Sequence, residues 1–576
     1  MALKSSLAVV FAFFIWASPQ GNAQAPAPST PNPATVAATS NTQTAAPSTA
    51  PGAASMDEVL DRMIANEQQL VGTLAAYTPM VETYIQNLKV DNDLGSAPKD
   101  DRYFLGKLNL KDGVNERSLL AAPGFASNLK GMLTQFYSVR YLPNGFAQMI
   151  LIDGKGFNRQ TYDFEFVRRE FLGEVKCLVF DVNPNPAMKE TKFQGRIWVE
   201  DKDYNVVRFN GTYLGSSMSN LYFHFDSWRE QMGPGLWLPA YVYSEESDKG
   251  YFLGRRHLMF KGQTRLWGYN VGRNAAQNEF TSMTVEADKV EDNGDAIEHM
   301  SPVLSLRAWE RQAEDNILAR MQKAGLVAPE GEVEKVLTTV VNNLEVTNNL
   351  VIDPETRVRV MLTAPLESFS VGHTIVISRG LLDVLPDEAS LAMVLAHELA
   401  HISLGHRLDT KYAFSDRMIF DDTQTFNRLH VKRNEKEEHE ADEKAMAMLV
   451  NSPYKDKLAN AGLFLKALAD RSNELPNLLN AHMGNPMADG KNVKRMKDLM
   501  ASAPALETTK VEQIAALPLG GRIRVDEWTN QLELVKTKPV ALLSAREKMP
   551  FEVTPVFLYL TRQKDGATVA SKNNNN

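Results

Sequence analysis

The chain has 576 residues, of which 44% are hydrophobic and 23% charged, the composition of an ordinary globular protein. Because a single hydrophobic core stops growing at roughly 250–300 residues, a chain of this length is expected to contain several domains. The net charge is −8, with 62 basic and 70 acidic residues, which argues against a nucleic-acid partner and against an anionic membrane surface.

The first 25 residues have the three-part layout of a cleaved secretory signal peptide. Lys4 precedes an apolar core from Ser5 to Ala17, and small residues follow at Ala23 and Ala25. This core is shorter than the about 20 residues that a transmembrane helix needs, although a membrane anchor is the alternative interpretation. We therefore expect an exported protein, periplasmic or secreted, that is soluble after signal cleavage and has no membrane span in the mature chain.

The next two segments differ sharply in composition. Residues 26–55 are almost entirely Ala, Pro, Ser and Thr, which predicts a disordered linker because such a segment cannot bury enough apolar surface to offset the entropy of ordering. From Met56, apolar residues recur at three- and four-residue spacing, and this predicts a helical segment over 56–95.

Between residues 96 and 302 the hydrophobic period shortens toward two, which predicts an antiparallel β-rich domain. The clearest case is 194–214, where two alternating segments flank the turn-forming sequence EDKDYN and predict a hairpin. The single cysteine, Cys177, excludes an internal disulfide framework and is interpreted as a small buried hydrophobe. No motif assigns a function to this domain, so substrate recognition and a structural role are both compatible with it.

A candidate metal-binding helix lies in the sequence LAMVLAHELAHISLGH, residues 391–406. His397 and His401 are four residues apart, so a helix places both imidazoles on one face and within reach of one ion. Glu398 points about 100° away from His397 around the helix, where it can act as a general base on a water at the metal. Pro386 at a first helical position and Gly405 as a stop support the helix.

The third metal ligand is sought in the acidic sequence NEKEEHEADEKAMAMLV, residues 434–450. A helix over these residues has one inward stripe, formed by Ala441, Ala445 and Leu449. Glu438 lies on the same face of the helix as this stripe and is the predicted ligand, with Glu437 as the alternative. Glu440 falls on a charged, exposed face. Asp442, one turn after Glu438, is expected to accept a hydrogen bond from a metal-binding imidazole.

These residues predict one Zn²⁺ ion per chain, bound by His397, His401 and Glu438, with an open position left for a reacting molecule. In this interpretation Glu398 is the catalytic base for the hydrolysis of a peptide bond. The five-residue motif alone is short enough to arise by chance, and the downstream acidic helix is what makes the metal site the better interpretation.

The combination of LAMVLAHELAHISLGH and EEHEAD resembles peptidase family M48, zinc metallopeptidases that include the CAAX prenyl proteases, the HtpX membrane proteases and the periplasmic BepA-type proteases. The family's apolar strand and GLL turn are matched in residues 373–398. The resemblance covers roughly residues 330–500. It implies an α+β fold in which a mainly helical gluzincin-type zinc metallopeptidase domain with a short sheet, 303–505, follows the β-rich domain. The remaining 506–576 are predicted to form a small α/β region with a helix near KVEQIAAL and a disordered end.

The resemblance also implies a histidine and an arginine downstream, and the chain supplies His482 and Arg495. His482 is expected to be a catalytic group in the cleft, either stabilising an oxyanion or occupying the open metal position. Two departures from the family pattern stand out. Three residues separate His482 from Pro486, where the family usually has none, and Glu-Ser-Phe at 367–369 replaces Asn-Ala-Phe.

The strand TIVISRG, residues 374–380, is expected to be an exposed edge along which a polypeptide substrate binds as an extended strand. Family analogy then predicts an exported metalloendopeptidase that acts in quality control of unfolded envelope or secreted proteins. The alternative is a zinc-stabilised binding protein or chaperone-like scaffold with little hydrolytic activity. A prenyl-protein processing function is disfavoured, since those family members have several transmembrane helices. The sequence does not predict the oligomeric state.

Overall fold

The computed structural model describes residues 55–92, 95–111, 115–119, 146–154, 156–186, 192–215, 223–251, 256–271, 302–406, 431–489, 492–507, 523–525, 532–534, 537–538 and 551–562. The predicted signal peptide, nearly all of the predicted linker, the helix near KVEQIAAL and the predicted disordered end lie outside these ranges. The described residues form one compact unit. Within the described ranges, no helix is long and apolar enough to cross a membrane.

The first helix, α1, spans Met56–Leu74. The side chain of Ser55 caps it by accepting a hydrogen bond from the amide of Glu58 at 3.2 Å. The predicted helical segment over 56–95 is wrong beyond this helix, because Met80–Asp91 forms a strand that pairs on both sides with other strands. This pairing satisfies the backbone of 80–91 through distant parts of the chain, which local periodicity does not reveal.

A single antiparallel sheet of ten strands dominates the N-terminal part and confirms the predicted β-rich region. The strands are β1 (Met80–Asp91), β2 (Gly95–Asn109), β3 (Asn115–Ser118), β4 (Tyr162–Leu172), β5 (Val175–Pro184), β6 (Lys192–Glu200), β7 (Val206–Leu214), β8 (Phe225–Gly233), β9 (Leu236–Tyr251) and β10 (Arg256–Trp267). Their order is β3-β2-β1-β10-β9-β8-β7-β6-β5-β4, and a 3-10 helix, Phe146–Ile150, contacts β8, β9 and β10. The predicted hairpin over 194–214 is confirmed as β6 and β7, with Ile197 opposite Phe209.

Aromatic contacts within the sheet and an ion pair to α1 stabilise the sheet. Phe209 makes edge-on contacts with Phe193 and Phe225, each at 5.7 Å between ring centroids. Arg229 on β8 donates to both carboxylate oxygens of Glu67 on α1, at 2.6 and 2.7 Å. Cys177 is buried and has no disulfide partner, as predicted, and its burial raises the pKa of the thiol to about 12.

The C-terminal part is mainly helical, which confirms the α+β class. Its helices are α2 (Pro302–Ala324), α3 (Glu332–Thr347), α4 (Arg379–Val384), α5 (Glu388–Ser403), α6 (Glu435–Val450), α7 (Leu458–Arg471), α8 (Pro476–Leu479) and α9 (Lys497–Ser502), with a 3-10 turn at Lys455–Lys457. A three-stranded sheet consists of β11 (Arg357–Met361), β12 (Ser368–Val371) and β13 (Thr374–Ser378). Three two-stranded ladders follow, built from β14 (Ala488–Asp489), β15 (Asn492–Val493), β16 (Ile523–Val525), β17 (Leu532–Leu534), β18 (Thr537–Lys538) and β19 (Phe557–Leu558).

The small sheet corrects the prediction that residues 374–380 form an exposed edge. The strand order is β11-β13-β12, so β13 is the central strand, paired in parallel with β11 and antiparallel to β12. All five residues of β13 are buried, and a short uninterrupted apolar run is typical of a strand with neighbours on both sides. Of the strands in this sheet, β12 is therefore the edge strand nearer the metal helix, since it contacts α5.

The large sheet and the helical region share one hydrophobic core. Side chains of the sheet such as Trp198 and Trp228 belong to the same buried cluster as Leu395 of α5 and Phe464 of α7. The segment 551–562 also packs on the sheet. There the side-chain amide of Gln86 donates to the carbonyl of Phe551 and accepts from the amide of Val553, both at 2.8 Å. The sheet is therefore not a detachable module.

We predict that Glu67→Ala lowers the free energy of unfolding by about 3–5 kcal/mol, because Arg229 would keep a buried charge without its partner. Urea denaturation followed by tryptophan fluorescence measures the change. As a control, Arg62→Ala removes an exposed ion pair on the same helix and is expected to change the value by less than about 1 kcal/mol. A small loss for Glu67→Ala would contradict the burial described here.

Candidate metal centre

The helix α5 carries the two histidines into the core. Its N-cap is Asp387, whose carboxylate accepts hydrogen bonds from the amide and hydroxyl of Ser390 at 2.9 and 2.7 Å. Pro386 thus precedes the cap and does not occupy the first helical position that the sequence suggested. The predicted stop is confirmed, since the helix ends at Ser403 and Gly405 has a φ of 71°, a left-handed conformation that favours glycine.

Three candidate ligand groups converge at one point. The Nε2 atoms of His397 and His401 are 3.2 Å apart, and the carboxylate of Glu438 lies 3.4 Å from the first and 3.5 Å from the second. Ligands of a tetrahedral zinc ion at about 2.0–2.1 Å lie about 3.3 Å from one another, so these spacings fit the ion. Both imidazoles are 1% exposed. Two imidazoles and a carboxylate can thus hold one metal ion here.

The helix α6 places Glu438 beside α5. Asn434 caps this helix by accepting a hydrogen bond from the amide of Glu437 at 3.0 Å. Ala441 and Ala445 are fully buried, and their small side chains let α6 lie close to α5. In the described part of the chain, the ligand cluster contains Glu438 and neither Glu437 nor Glu440.

Asp442 lies one turn further along α6 and contacts the other nitrogen of His397. Its Oδ1 is 2.9 Å from Nδ1 of the imidazole, and its Oδ2 accepts a hydrogen bond from the amide of Met496 at 2.8 Å. Burial and Arg495 lower the pKa of His397, but the hydrogen bonds to Asp442 and Glu438 act together with the nearby Glu398 carboxylate, and the pKa is raised. An Nδ1–H held by a carboxylate leaves Nε2 free to bind a metal.

A third histidine contacts His401. Because the chain reverses at Gly405, the amide of His406 donates to the carbonyl of His401 at 3.0 Å, and the two Nδ1 atoms are 2.9 Å apart. The other ring nitrogen of His406 is 3.2 Å from the carboxylate of Glu440. Helical phase placed Glu440 on an exposed face and did not predict its contact with His406. Gly405 was the available signal, since a left-handed residue folds the chain back over the last turn.

The candidate base, Glu398, is 1% exposed and has two partners. Its Oε1 accepts hydrogen bonds from Ser368 Oγ at 2.8 Å and from Arg495 Nη1 at 2.9 Å. Burial raises the pKa of Glu398, but Arg495, His397 and His401 together outweigh burial and the pKa is lowered. Arg495 also donates to Glu438 at 3.2 Å. Although burial raises the pKa of Glu438, Arg495 and the hydrogen bonds to His397 and His401 together hold it well below its usual value.

Sequence reasoning assigned no contact to Ser368 or Arg495. Ser368 was marked only as a departure from the family pattern, and Arg495 only as a residue that the resemblance supplies. Both reach the site through tertiary structure. Ser368 does so because β12 packs on α5, and Arg495 because the amide of its neighbour Met496 donates a hydrogen bond to Asp442. A buried serine hydroxyl needs a partner, which was the one signal available in the sequence.

His482 contacts the large sheet. Its side chain is exposed and its ring stacks on Tyr103 of β2, with 5.1 Å between centroids and 26° between planes. Within the described residues the metal cluster does not include it. Its predicted catalytic role therefore stays a prediction.

A cavity of about 550 Å³ opens beside the candidate metal centre. Glu438, Asp442 and Met446 of α6 form one wall, and Asn485 and Met496 line the opposite side. The ligand Glu438 and its neighbour Asp442 thus lie at an accessible surface, whereas the two histidines are buried. A molecule approaching the site has room on the α6 side.

A buried helix with two histidines four residues apart, an adjacent glutamate and a third carboxylate from a second helix defines the metallopeptidase class of sites. Residues 330–420 match the sequence profile of Peptidase family M48. The matched residues include the helix with His397, Glu398 and His401. This match confirms the predicted resemblance to the family over these residues. The match does not extend to Glu438 and distinguishes no subgroup of the family.

No curated protein matches the chain. A DUF1329 family protein from Desulfovibrio piger is 10% identical, with a TM-score of 0.17 over 38% of this chain and 93% of that one. The MucA/MucB complex of Pseudomonas aeruginosa is 13% identical, with a TM-score of 0.10 over 36% of this chain and 93% of the matched one. At these TM-scores neither likeness defines a shared fold.

We predict that Glu438→Ala abolishes the binding of one zinc equivalent, because only two protein ligands would remain. Metal analysis after dialysis measures the stoichiometry. Glu437→Ala is the matched control on the same turn of α6 and is expected to keep the full equivalent. Loss of zinc in the control with retention in Glu438→Ala would reverse the ligand choice.

We predict that Asp442→Ala weakens zinc binding by about 10- to 100-fold, because His397 would lose the partner that orients its ring. Competition with a chromophoric chelator gives the affinity. The exposed Glu443, next in the chain, serves as the control, and Glu443→Ala should leave the affinity unchanged. Equal affinities for both variants would exclude the orienting role of Asp442.

Proposed function

We propose that the protein is an exported zinc-dependent metalloendopeptidase that hydrolyses unfolded polypeptides. The observation that carries the proposal is the convergence of His397, His401 and Glu438 around one point, with the buried carboxylate of Glu398 next to it. The match of residues 330–420 to Peptidase family M48 supports peptidase chemistry. The three-part layout of the N-terminal sequence supports export.

The donor set favours zinc. Two imidazole nitrogens and one carboxylate are typical of catalytic zinc sites, in which three protein ligands leave a position open. When bound, zinc would supply Lewis-acid chemistry by acidifying water and polarising a carbonyl group. The cavity beside Glu438 gives a substrate access to that side of the site.

Glu398 has the placement of a general base. Ser368 and Arg495 hold its carboxylate in one orientation, and Arg495 lowers its pKa against the effect of burial. The side chain is therefore ionised near neutral pH and can accept a proton from water. Delivery of the same proton to the leaving amine nitrogen completes hydrolysis. A zinc-stabilised scaffold would have no use for this carboxylate.

The edge strand β12 is the better candidate for binding an extended substrate, in place of residues 374–380. Arg495 and Arg433 contact the carbonyl oxygens of Ser368 and Ser370 at 3.5 and 3.4 Å. A substrate backbone that pairs with β12 would replace the two arginines at these carbonyls. Main-chain pairing places few demands on side chains. Such recognition suits unfolded proteins of varied sequence and supports a role in quality control.

We predict that Glu398→Gln lowers the hydrolysis of casein at least about 100-fold and leaves zinc near one equivalent, because the amide fills the same space but cannot accept the proton. Peptide release from labelled casein and metal analysis are the measurements. The unmodified protein treated with a chelator and then reloaded with zinc is the control for metal dependence. Full activity in Glu398→Gln would refute the mechanism. Inactivity of the zinc-loaded unmodified protein would favour the scaffold.

A further inference from the structure

Two buried carboxylates of the large sheet bind the main chain of the peptidase region. They are Glu82 on β1, 2% exposed, and Asp101 on β2, fully buried. We propose that Glu82 and Asp101 are positioning residues, through which the sheet holds strand β12 and residues 477–485 in place beside the candidate base Glu398. This inference rests on the proposed peptidase function and gives the sheet a part in it.

Asp101 holds the start of the segment 477–485. Its Oδ1 accepts hydrogen bonds from the amide of Asn477 at 3.0 Å and from the side chain of Asn477 at 2.8 Å. Its Oδ2 accepts from the amide of Leu478 at 2.9 Å and from Tyr84 at 3.1 Å. Asn477 also donates to the backbone carbonyl of Asp101 at 3.0 Å. A single sheet residue thus determines where α8 begins.

The hydrogen bonds continue from α8 to β12. The carbonyl of Leu478 accepts from the amide of Leu366 at 2.7 Å. The next residue, Glu367, is 2% exposed, and its carboxylate accepts from the amide of Met483 at 3.0 Å. Ser368 follows directly and donates to Glu398. The backbone of 366–368 is therefore held on one side by residues 478–483 and ends at the candidate base.

Glu82 anchors the approach to the same strand. Its Oε1 accepts from the amide of Ala364 at 2.6 Å and from Tyr103 at 2.8 Å, and its Oε2 lies 3.3 Å from Arg379 of α4. The ring of Tyr103 stacks in turn on His482. The backbone before β12 and the segment around His482 therefore meet at one pair of sheet side chains.

The three candidate metal ligands lie on α5 and α6 and make none of these contacts themselves. Loss of Asp101 should therefore displace β12 and Ser368 relative to Glu398 and leave the metal in place. Misplacement of a reacting group by about 1 Å can cost about 100-fold in rate. A role limited to stability would instead lower the amount of folded protein without changing the kinetics of the folded fraction.

The test uses Asp101→Asn in the full chain loaded with zinc. The amide would face the donors of Asn477 or Leu478 with a donor of its own, so we expect kcat/KM for a casein-derived peptide to fall about 10- to 100-fold. We expect kcat itself to fall, because Ser368 orients Glu398. The zinc content should stay near one equivalent.

Glu200→Gln is the matched control. Glu200 is also fully buried in the sheet and accepts hydrogen bonds from the backbone amides of Lys202 and Asp203, both at 2.9 Å, in the turn after β6. The variant should weaken bonds to backbone amides as Asp101→Asn does, in addition to an ion pair with Arg562, and keep kcat/KM within about twofold. Equal kinetic losses in the two variants would overturn the proposal, since they would show a general effect of sheet stability.

Asn477→Ala keeps the Asp101 carboxylate and decides the question if Asp101→Asn does not fold. It removes two side-chain hydrogen bonds to Asp101, and we expect a smaller fall in kcat/KM in the same direction, with zinc retained. Unchanged kinetics in a folded, zinc-loaded Asn477→Ala or Asp101→Asn, together with an inactive Glu398→Gln, would overturn the positioning role and leave the proposed peptidase function intact. Activity in Glu398→Gln would refute the proposed function itself.

Discussion

The close packing of α5 against α6 is the contact on which the rest of the site depends. Burial of His397, His401 and Glu398 is costly unless each polar atom has a partner, and nearly all of those partners come from other elements. Small residues on α6 allow its carboxylates to reach the imidazoles. Without this contact, α5 would be an apolar helix with several unsatisfied polar groups in its core.

The partners of the metal site form a continuous hydrogen-bonded network. Asp442 contacts His397 with one oxygen and holds Met496 with the other, and the neighbouring Arg495 reaches Glu398 and Glu438. Ser368 closes the network from the side of β12. Networks of this kind orient ligands and bases, since moving one member disturbs the next. The geometry of the site is thus a property of several helices and one strand together.

The large sheet extends this dependence. It shares its core with the helical region, and its buried carboxylates bind the backbone before β12 and at the start of α8. Regions joined by buried charge-assisted hydrogen bonds do not move independently at low cost. The arrangement connects a sheet with no recognisable motif to the helices that carry the candidate ligands and base.

The sequence by itself determined the local features: the β6–β7 hairpin, the α+β class, the extent of the metal helix to Gly405, and the choice of residues with ligand chemistry at the spacing of one helical turn. These follow from the spacing of apolar residues and from turn-forming residues, whose effects extend over a few residues. Only the tertiary structure decided that 80–91 is a strand, that β13 is central and β12 the edge, and that Ser368, His406 and Arg495 contact the site. Those outcomes depend on hydrogen bonds between residues far apart in the chain, and no local pattern encodes which distant group will satisfy a buried one.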